Sequence, residues 1–306
     1  MALRAEHVRR PERTPSDRSE GVFRFDTYLS KTCLVLSSCY PLPTQHKGIG
    51  ITQTRREFLK TTAATGAVIT VFPFAASAAN HSGDIFESSA GLVKVHPIRH
   101  ASVIMETPVG VLYVDPVGDP NIYASRPKPD LILITHEHGD HFNAETLAAL
   151  VQEGTKLITN PAVYAKLSEQ MQSKSVLVAN GESTSFGELK VDAIPAYNLT
   201  EERKNFHPMG RDNGYVLTMA DFRIYLSGDT EDIPEMRALK DIDLAYVCMN
   251  LPFTMPASAA ADAVREFKPK NVYPYHFRGR DGGTQDPQEF ADLVGDAATV
   301  QLRGWY

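Results

Sequence analysis

From Leu92 onward, short apolar runs alternate with turn-forming residues. Val93–Ile98, Ser102–Thr107 and Val111–Val114 read as the strands of a meander, with Pro108, Val109 and Gly110 marking one turn. Leu131–Thr135 is a continuous apolar run, the pattern of a strand buried on both faces. Asn143–Glu153 carries Leu147, Leu150 and Val151 at helical spacing, with Asn143 as its cap. Lys156–Thr159 predicts a strand and Pro161–Gln172 a helix opened by proline. Further strands are expected at Leu189–Pro195, Gly214–Met219, Phe222–Ser227, Leu244–Cys248 and Asn271–Tyr275. Helices are expected at Ile233–Leu239, at Ser258–Phe267 with Ser258 as cap, and at Pro287–Val294. No internal repeat shows after residue 90. Strands in each half with helices between them predict a layered α/β sandwich of one domain.

The pattern before residue 80 is different. The segment TRREFLK at 54–60 precedes an uncharged stretch, Thr61–Ala79, that ends in small residues. Basic, apolar and small-residue regions in that order make a secretory signal, and the pair Arg55-Arg56 resembles a twin-arginine export signal. Cleavage is expected near Ala78 or Ala79, placing the mature protein in the periplasm after passage through the twin-arginine translocase. The alternative is an uncleaved membrane anchor, but the stretch holds several threonines, Gly66 and Pro73, which suit a span poorly. The domain reading is therefore a disordered extension at 1–48, a signal peptide at 49–79 and a single folded domain at 80–306.

Composition adds exclusions. The chain has 306 residues, 42% hydrophobic and 22% charged, which argues against a wholly disordered or coiled-coil protein. The net charge of −6 hides a basic leader and a strongly acidic body. An acidic body repels phosphate backbones, so nucleic acid is not an expected partner. Of the three cysteines, Cys33 and Cys39 lie in the leader. Cys248 sits in an apolar run and reads as a small buried hydrophobe rather than a nucleophile.

The chemistry concentrates at residues 135–141, THEHGDH. Three imidazoles and a carboxylate directly after a buried strand are costly unless each finds a polar partner. Zinc, manganese or iron would satisfy them. His136 and His138 are two apart and project the same way from extended backbone. Asp140 and His141 follow Gly139, which permits a sharp turn toward a second metal.

This motif resembles that of the metallo-β-lactamase superfamily. Three other segments extend the resemblance: Tyr113-Val114-Asp115 at a strand end, Gly228-Asp229-Thr230 after another, and Tyr275-His276 after a third. Within the superfamily the chain is most similar to the branch of L-ascorbate-6-phosphate lactonase and N-acylphosphatidylethanolamine phospholipase D. The resemblance implies a four-layer αββα sandwich and a pair of divalent metals, zinc first among them. It implies His136 and His138 as ligands of one metal, Asp140, His141 and His276 of the other, and Asp229 as the bridge. A further histidine ligand is expected after Pro195-Ala196, where this chain has Tyr197-Asn198-Leu199. Either His207 reaches back, or Asn198 or a water fills the position; His207 could instead touch substrate.

Asp115 and His100 are expected to orient ligands. Arg278, Arg280 and Tyr197 are candidates for substrate contact, while Tyr275 and Phe253 either line the cleft or pack. The function implied is hydrolysis of an ester, lactone, amide or phosphodiester by a metal-bound hydroxide, with Asp140 as a catalytic group and a small molecule or lipid as substrate. The competing readings are a dedicated phosphodiesterase of the phospholipase type and a metal-containing binding protein without turnover.

Overall fold

Strands β1 (Asp84–Ser88), β2 (Gly91–Arg99), β3 (Ser102–Thr107), β4 (Gly110–Val114), β5 (Leu131–Ile134), β6 (Lys156–Thr159) and β7 (Ser175–Leu177) form one sheet in chain order. They belong to a computed structural model that describes residues 83–278 and 285–306. The leader with its two cysteines, the cleavage region and Arg280 lie outside the described residues. Strands β8 (Ser183–Phe186), β9 (Leu189–Ala196), β10 (Asp212–Met219), β11 (Phe222–Leu226), β12 (Leu244–Cys248), β13 (Asn271–Tyr275) and β14 (Thr299–Val300) form the second sheet, again in order. Each sheet opens as an antiparallel meander of four strands and continues in parallel pairs. Tight turns can only reverse a strand, whereas parallel pairing requires longer crossovers, and these carry the helices. The two halves thus share a topology that no sequence repeat announces.

The apolar run at β5 shows why strict alternation is missing from the sequence. Leu131 and Leu133 face the interior between the sheets, while Ile132 and Ile134 pack in a second cluster with Leu147 and Leu150 of α1 (Ala144–Leu150). Val163 of α2 (Pro161–Tyr164) joins that outer layer. A strand covered on both faces needs apolar residues on both. On the far side, α5 (Ala257–Phe267) buries Ala260, Ala261, Val264 and Phe267, and the Phe267 ring meets Tyr225 edge-on at 6.0 Å. The layers run helix, sheet, sheet, helix, as the expected α/β sandwich requires.

Local differences have local causes. The helix expected at Pro161–Gln172 is two single turns, α2 and α3 (Glu169–Gln172), because Ser168 is extended and its side chain accepts from the Met171 N–H, starting a new turn. Helix α1 is capped by Asn143 as expected but stops at Leu150, where Val151 turns extended. Residues 234–237 make only one turn, α4 (Pro234–Arg237). Ser258 is not the cap of α5; the helix starts one residue earlier, after Pro256 and without a side-chain cap bond. Strands β1, β7, β8 and β14 were not expected; they are short and lie at or near sheet edges, where one-sided burial leaves a weak apolar signature. α6 (Pro287–Val294) falls where the sequence places it.

Because Phe267 plugs the helix layer onto the second sheet, Phe267→Ala should lower the unfolding free energy by about 3–5 kcal/mol. Urea denaturation checks this, and an unchanged midpoint would show that α5 is not anchored there.

Candidate metal centre

The strand pairings put the C-terminal ends of β2, β4 and β5 at one edge of the first sheet, and those of β9, β11 and β13 at one edge of the second. Every residue of the site follows one of these ends. His100 comes after β2 and Asp115 after β4. His136, His138, Asp140 and His141 follow β5. His207 lies in the loop after β9, Asp229 after β11 and His276 directly after β13. Gly228 makes the approach of Asp229 possible: its φ is +59°, and a Cβ there would stand 2.8 Å from the Asn213 carbonyl oxygen.

At the centre lies the Asp229 carboxylate, almost fully buried. His207 Nε2 stands 3.4 Å from its Oδ2, His276 Nε2 3.5 Å and His136 Nε2 3.9 Å, while His141 Nε2 stands 3.3 Å from Oδ1. His136, His138 and His207 bring ligand atoms within 4.8 Å of one another, and His141, Asp229 and His276 do the same. Asp140 joins two further groupings, one with His136 and His141 and one with His100 and His276. The close approaches are not hydrogen bonds. His136 Nε2, His141 Nε2, His276 Nε2 and Asp229 Oδ1 are all buried without a partner. Buried lone pairs converging on one space without protons between them suit cations there.

Electrostatics favour free lone pairs at His136 and His138 and oppose one at His141. Burial, reinforced by the nearby His141 imidazole, holds His136 well below its ordinary pKa. Burial and His207 lower His138 as well. Burial would raise the Asp229 carboxyl, but His276 and His141 hold it well below the usual range. His141 runs opposite: burial would lower it, yet the Asp229 and Asp115 carboxylates hold it well above. For Asp140 burial again opposes, and the contacts from His100 and His276 keep it ionised.

A surrounding row of hydrogen bonds orients the imidazoles. Asp115 Oδ2 lies 2.7 Å from His141 Nδ1 and accepts from the Thr135 hydroxyl, while Oδ1 accepts from the Thr135 N–H. Asp212 does the same for His207, with its Oδ2 3.0 Å from Nδ1, and is itself gripped by Arg211. His100 reaches Asp140 Oδ2 through Nε2 at 3.3 Å, and its ring lies 3.8 Å from that of His276, tilted by 45°. Glu231 tethers the His207 loop: its carboxylate accepts from the N–H groups of Leu199 and Thr200 at 2.7 Å and pairs with Arg203.

The structure separates the remaining candidates. Asn198 does not join the ligand groupings; its amide donates to the carbonyls of Arg203 and Phe253, and its N–H to that of His207. It therefore shapes the loop that delivers His207. Tyr197 is a correction: it is buried in the core with its hydroxyl donating to Glu235, and it does not line the cavity beside the cluster. Tyr275 likewise packs, against Tyr246 and Trp305. Arg278 and Phe253 do line the cavity. Cys248 is fully buried, and burial pushes its thiol up to about 12, consistent with the inert reading. Sequence reasoning missed Asp212, Glu231 and Tyr306. Glu231 carried a signal, since it stands two residues from Asp229; Tyr306, remote in the chain, carried none.

A model of the β-lactamase superfamily domain matches residues 94–276. The chain belongs to the metallo-β-lactamase superfamily. A UPF0173 metal-dependent hydrolase of Pyrococcus horikoshii is 32% identical over 221 residues, covering 69% of this chain and 96% of the relative. A crystal structure from Parabacteroides distasonis, described as a metal-dependent hydrolase, superposes with a TM-score of 0.65 at 40% identity over 72% of this chain and 97% of that one. A metallo hydrolase from Ignicoccus hospitalis shares the fold at 21% identity, with a TM-score of 0.59 over 69% of this chain and 94% of its own. Membership places this chain among the superfamily's metal-dependent hydrolases.

Glu231→Gln should release the loop at 198–207. Losing a charged acceptor for two amides predicts roughly tenfold or faster hydrogen exchange at Leu199 and Thr200. Unchanged protection would mean the loop is held by other contacts.

Proposed function

We propose that this superfamily member is an exported hydrolase with two divalent metals, acting on an ester, lactone, amide or phosphodiester bond. One observation carries the reading: buried, unpartnered ligand atoms of His136, His141, His276 and Asp229 converge on one space at the sheet edges. His136, His138 and His207 would hold one cation, Asp140, His141 and His276 the other, with Asp229 between them. His207, rather than Asn198, is assigned because its Nε2 faces Asp229 and its Nδ1 is backed by Asp212. The mixed imidazole and carboxylate set suits zinc first, with manganese or iron as alternatives.

When bound, such a pair supplies Lewis acidity and lowers the pKa of a coordinated water toward neutrality. The protein's own groups do the rest. Tyr306 Oη lies 2.9 Å from His100 Nδ1 and Asp140 Oδ2 3.3 Å from Nε2; as the carboxylate can only accept, a neutral ring would carry its proton on Nε2 and accept from the Tyr306 hydroxyl. Burial lowers the His100 pKa, so that neutral form prevails at neutral pH. Asp140 is thereby held ionised and oriented at the cavity wall, where its carboxylate can take a proton from the attacking water. Asp115 and Asp212 fix two imidazoles so that their Nε2 lone pairs face inward.

The twin-arginine leader supports export to the periplasm through the twin-arginine translocase, with a folded, metal-loaded domain as cargo. The sequence likeness to the lactonase and phospholipase D branch supports a small-molecule or lipid substrate and keeps phosphodiesters in the class.

Hydrolysis of bis-p-nitrophenyl phosphate and p-nitrophenyl esters by the purified protein, beside a chelator-stripped sample, tests the proposal. Turnover should vanish on stripping and return with zinc or manganese. Asp140→Ala should lower kcat roughly hundredfold or more. A variant retaining near wild-type rates, or turnover insensitive to the chelator, would overturn the assignment.

A further inference from the structure

The cavity beside the cluster has a volume of about 660 Å³. Arg99 and Arg278 line it together with Phe206, Phe253 and Tyr306. Arg203 is paired with Glu231, Arg211 with Asp212, Arg237 with Glu266 and Arg303 with Asp84. Arg99, Arg126, Arg223 and Arg278 make no ion pair with a carboxylate among the described residues, and of these four only Arg99 and Arg278 line the cavity.

Arg278 is nevertheless held in place. The Arg278 guanidinium lies over the Tyr306 ring, 4.3 Å from its centroid. That ring is itself fixed: its hydroxyl bonds His100 Nδ1 at 2.9 Å and accepts the Arg278 N–H at 3.2 Å. An aromatic face positions a guanidinium without cancelling its charge. Arg99 ends β2, next to His100, and lies against Gly118: a Cβ there would come within 3.3 Å of its Nη1. Gly118 has φ +89°, so the bare backbone that accommodates Arg99 is also one that other residues adopt poorly. Two guanidinium forks with no carboxylate partner among the described residues, on one cavity, match an oxyanion with several acceptor oxygens. Phe206 and Phe253, packed edge to face at 5.0 Å, give the same cavity an apolar surface.

We propose that Arg99 and Arg278 form an anion subsite, so that the substrate carries a carboxylate or phosphate group beside the scissile bond and an apolar group against the two phenylalanines. The proposal rests on the hydrolase reading and narrows its substrate class.

The test compares mono-p-nitrophenyl succinate with p-nitrophenyl butyrate on the metal-loaded protein, alongside calorimetric titration of inorganic phosphate and of succinate. The wild type should favour the anionic ester. In R99Q and R278Q, kcat/KM should fall about tenfold more for the anionic than for the neutral ester, chiefly through KM. The double variant should also lose the anion binding seen by calorimetry. Succinate binding alone would assign the subsite to a carboxylate, phosphate binding alone to a phosphoryl group. An equal decline on both esters, or anion binding as tight in the double variant as in the wild type, would overturn the subsite. Arginine-dependent anion binding with neither ester turned over would keep the subsite and count against the hydrolase reading. Turnover of both esters with no arginine-dependent preference would do the reverse.

Discussion

A buried carboxylate ringed by imidazole lone pairs is the constraint on which the rest of this structure depends. Asp229 sits among four histidines whose ring nitrogens come within 3.9 Å of it or less. Taken from water, such groups are each expensive, and His136 Nε2, His141 Nε2, His276 Nε2 and Asp229 Oδ1 find no hydrogen-bond partner among the described residues. Breaking a buried charged set by removing one partner is costly because the others remain unpaired. Such an arrangement suits bound metal, and it needs a frame stiff enough to bring the groups together.

That frame is the pairing of two sheets that present strand ends at corresponding edges. Short connections at these ends leave little freedom, so each ligand-bearing residue is placed by a strand a few residues away. His207 is the exception, delivered by a longer loop, and there the structure compensates. Glu231, Arg203 and Asn198 bind the loop's backbone, and Asp212 with Arg211 fixes the ring itself. The same carboxylate-to-imidazole device recurs at Asp115 and His141, so both halves of the centre are oriented by one chemical means.

Much of this was readable in the sequence, for physical reasons. β3, β6, β12 and β13 were readable to the residue because strands buried on both faces are written as continuous apolar runs. The motif at 135–141 was readable because so many ligand types in so few residues have no cheap alternative. What escaped depended on tertiary contact. Ser168 split an expected helix by capping a new turn, a choice that propensity alone does not decide. Tyr197 looked like a cleft residue by its position, but its ring is buried in the core with its hydroxyl on Glu235. Tyr306 stacks with Arg278 beside His100 from the opposite end of the domain, and no local pattern reports such a meeting.

The central claim is that the cluster is a two-metal centre with Asp229 between the ions. Elemental analysis combined with anomalous diffraction on crystals of the metal-loaded protein addresses it most directly. The account predicts two metals per chain, one beside His136, His138 and His207, the other beside Asp140, His141 and His276. One metal, or a second located away from Asp229, would contradict it.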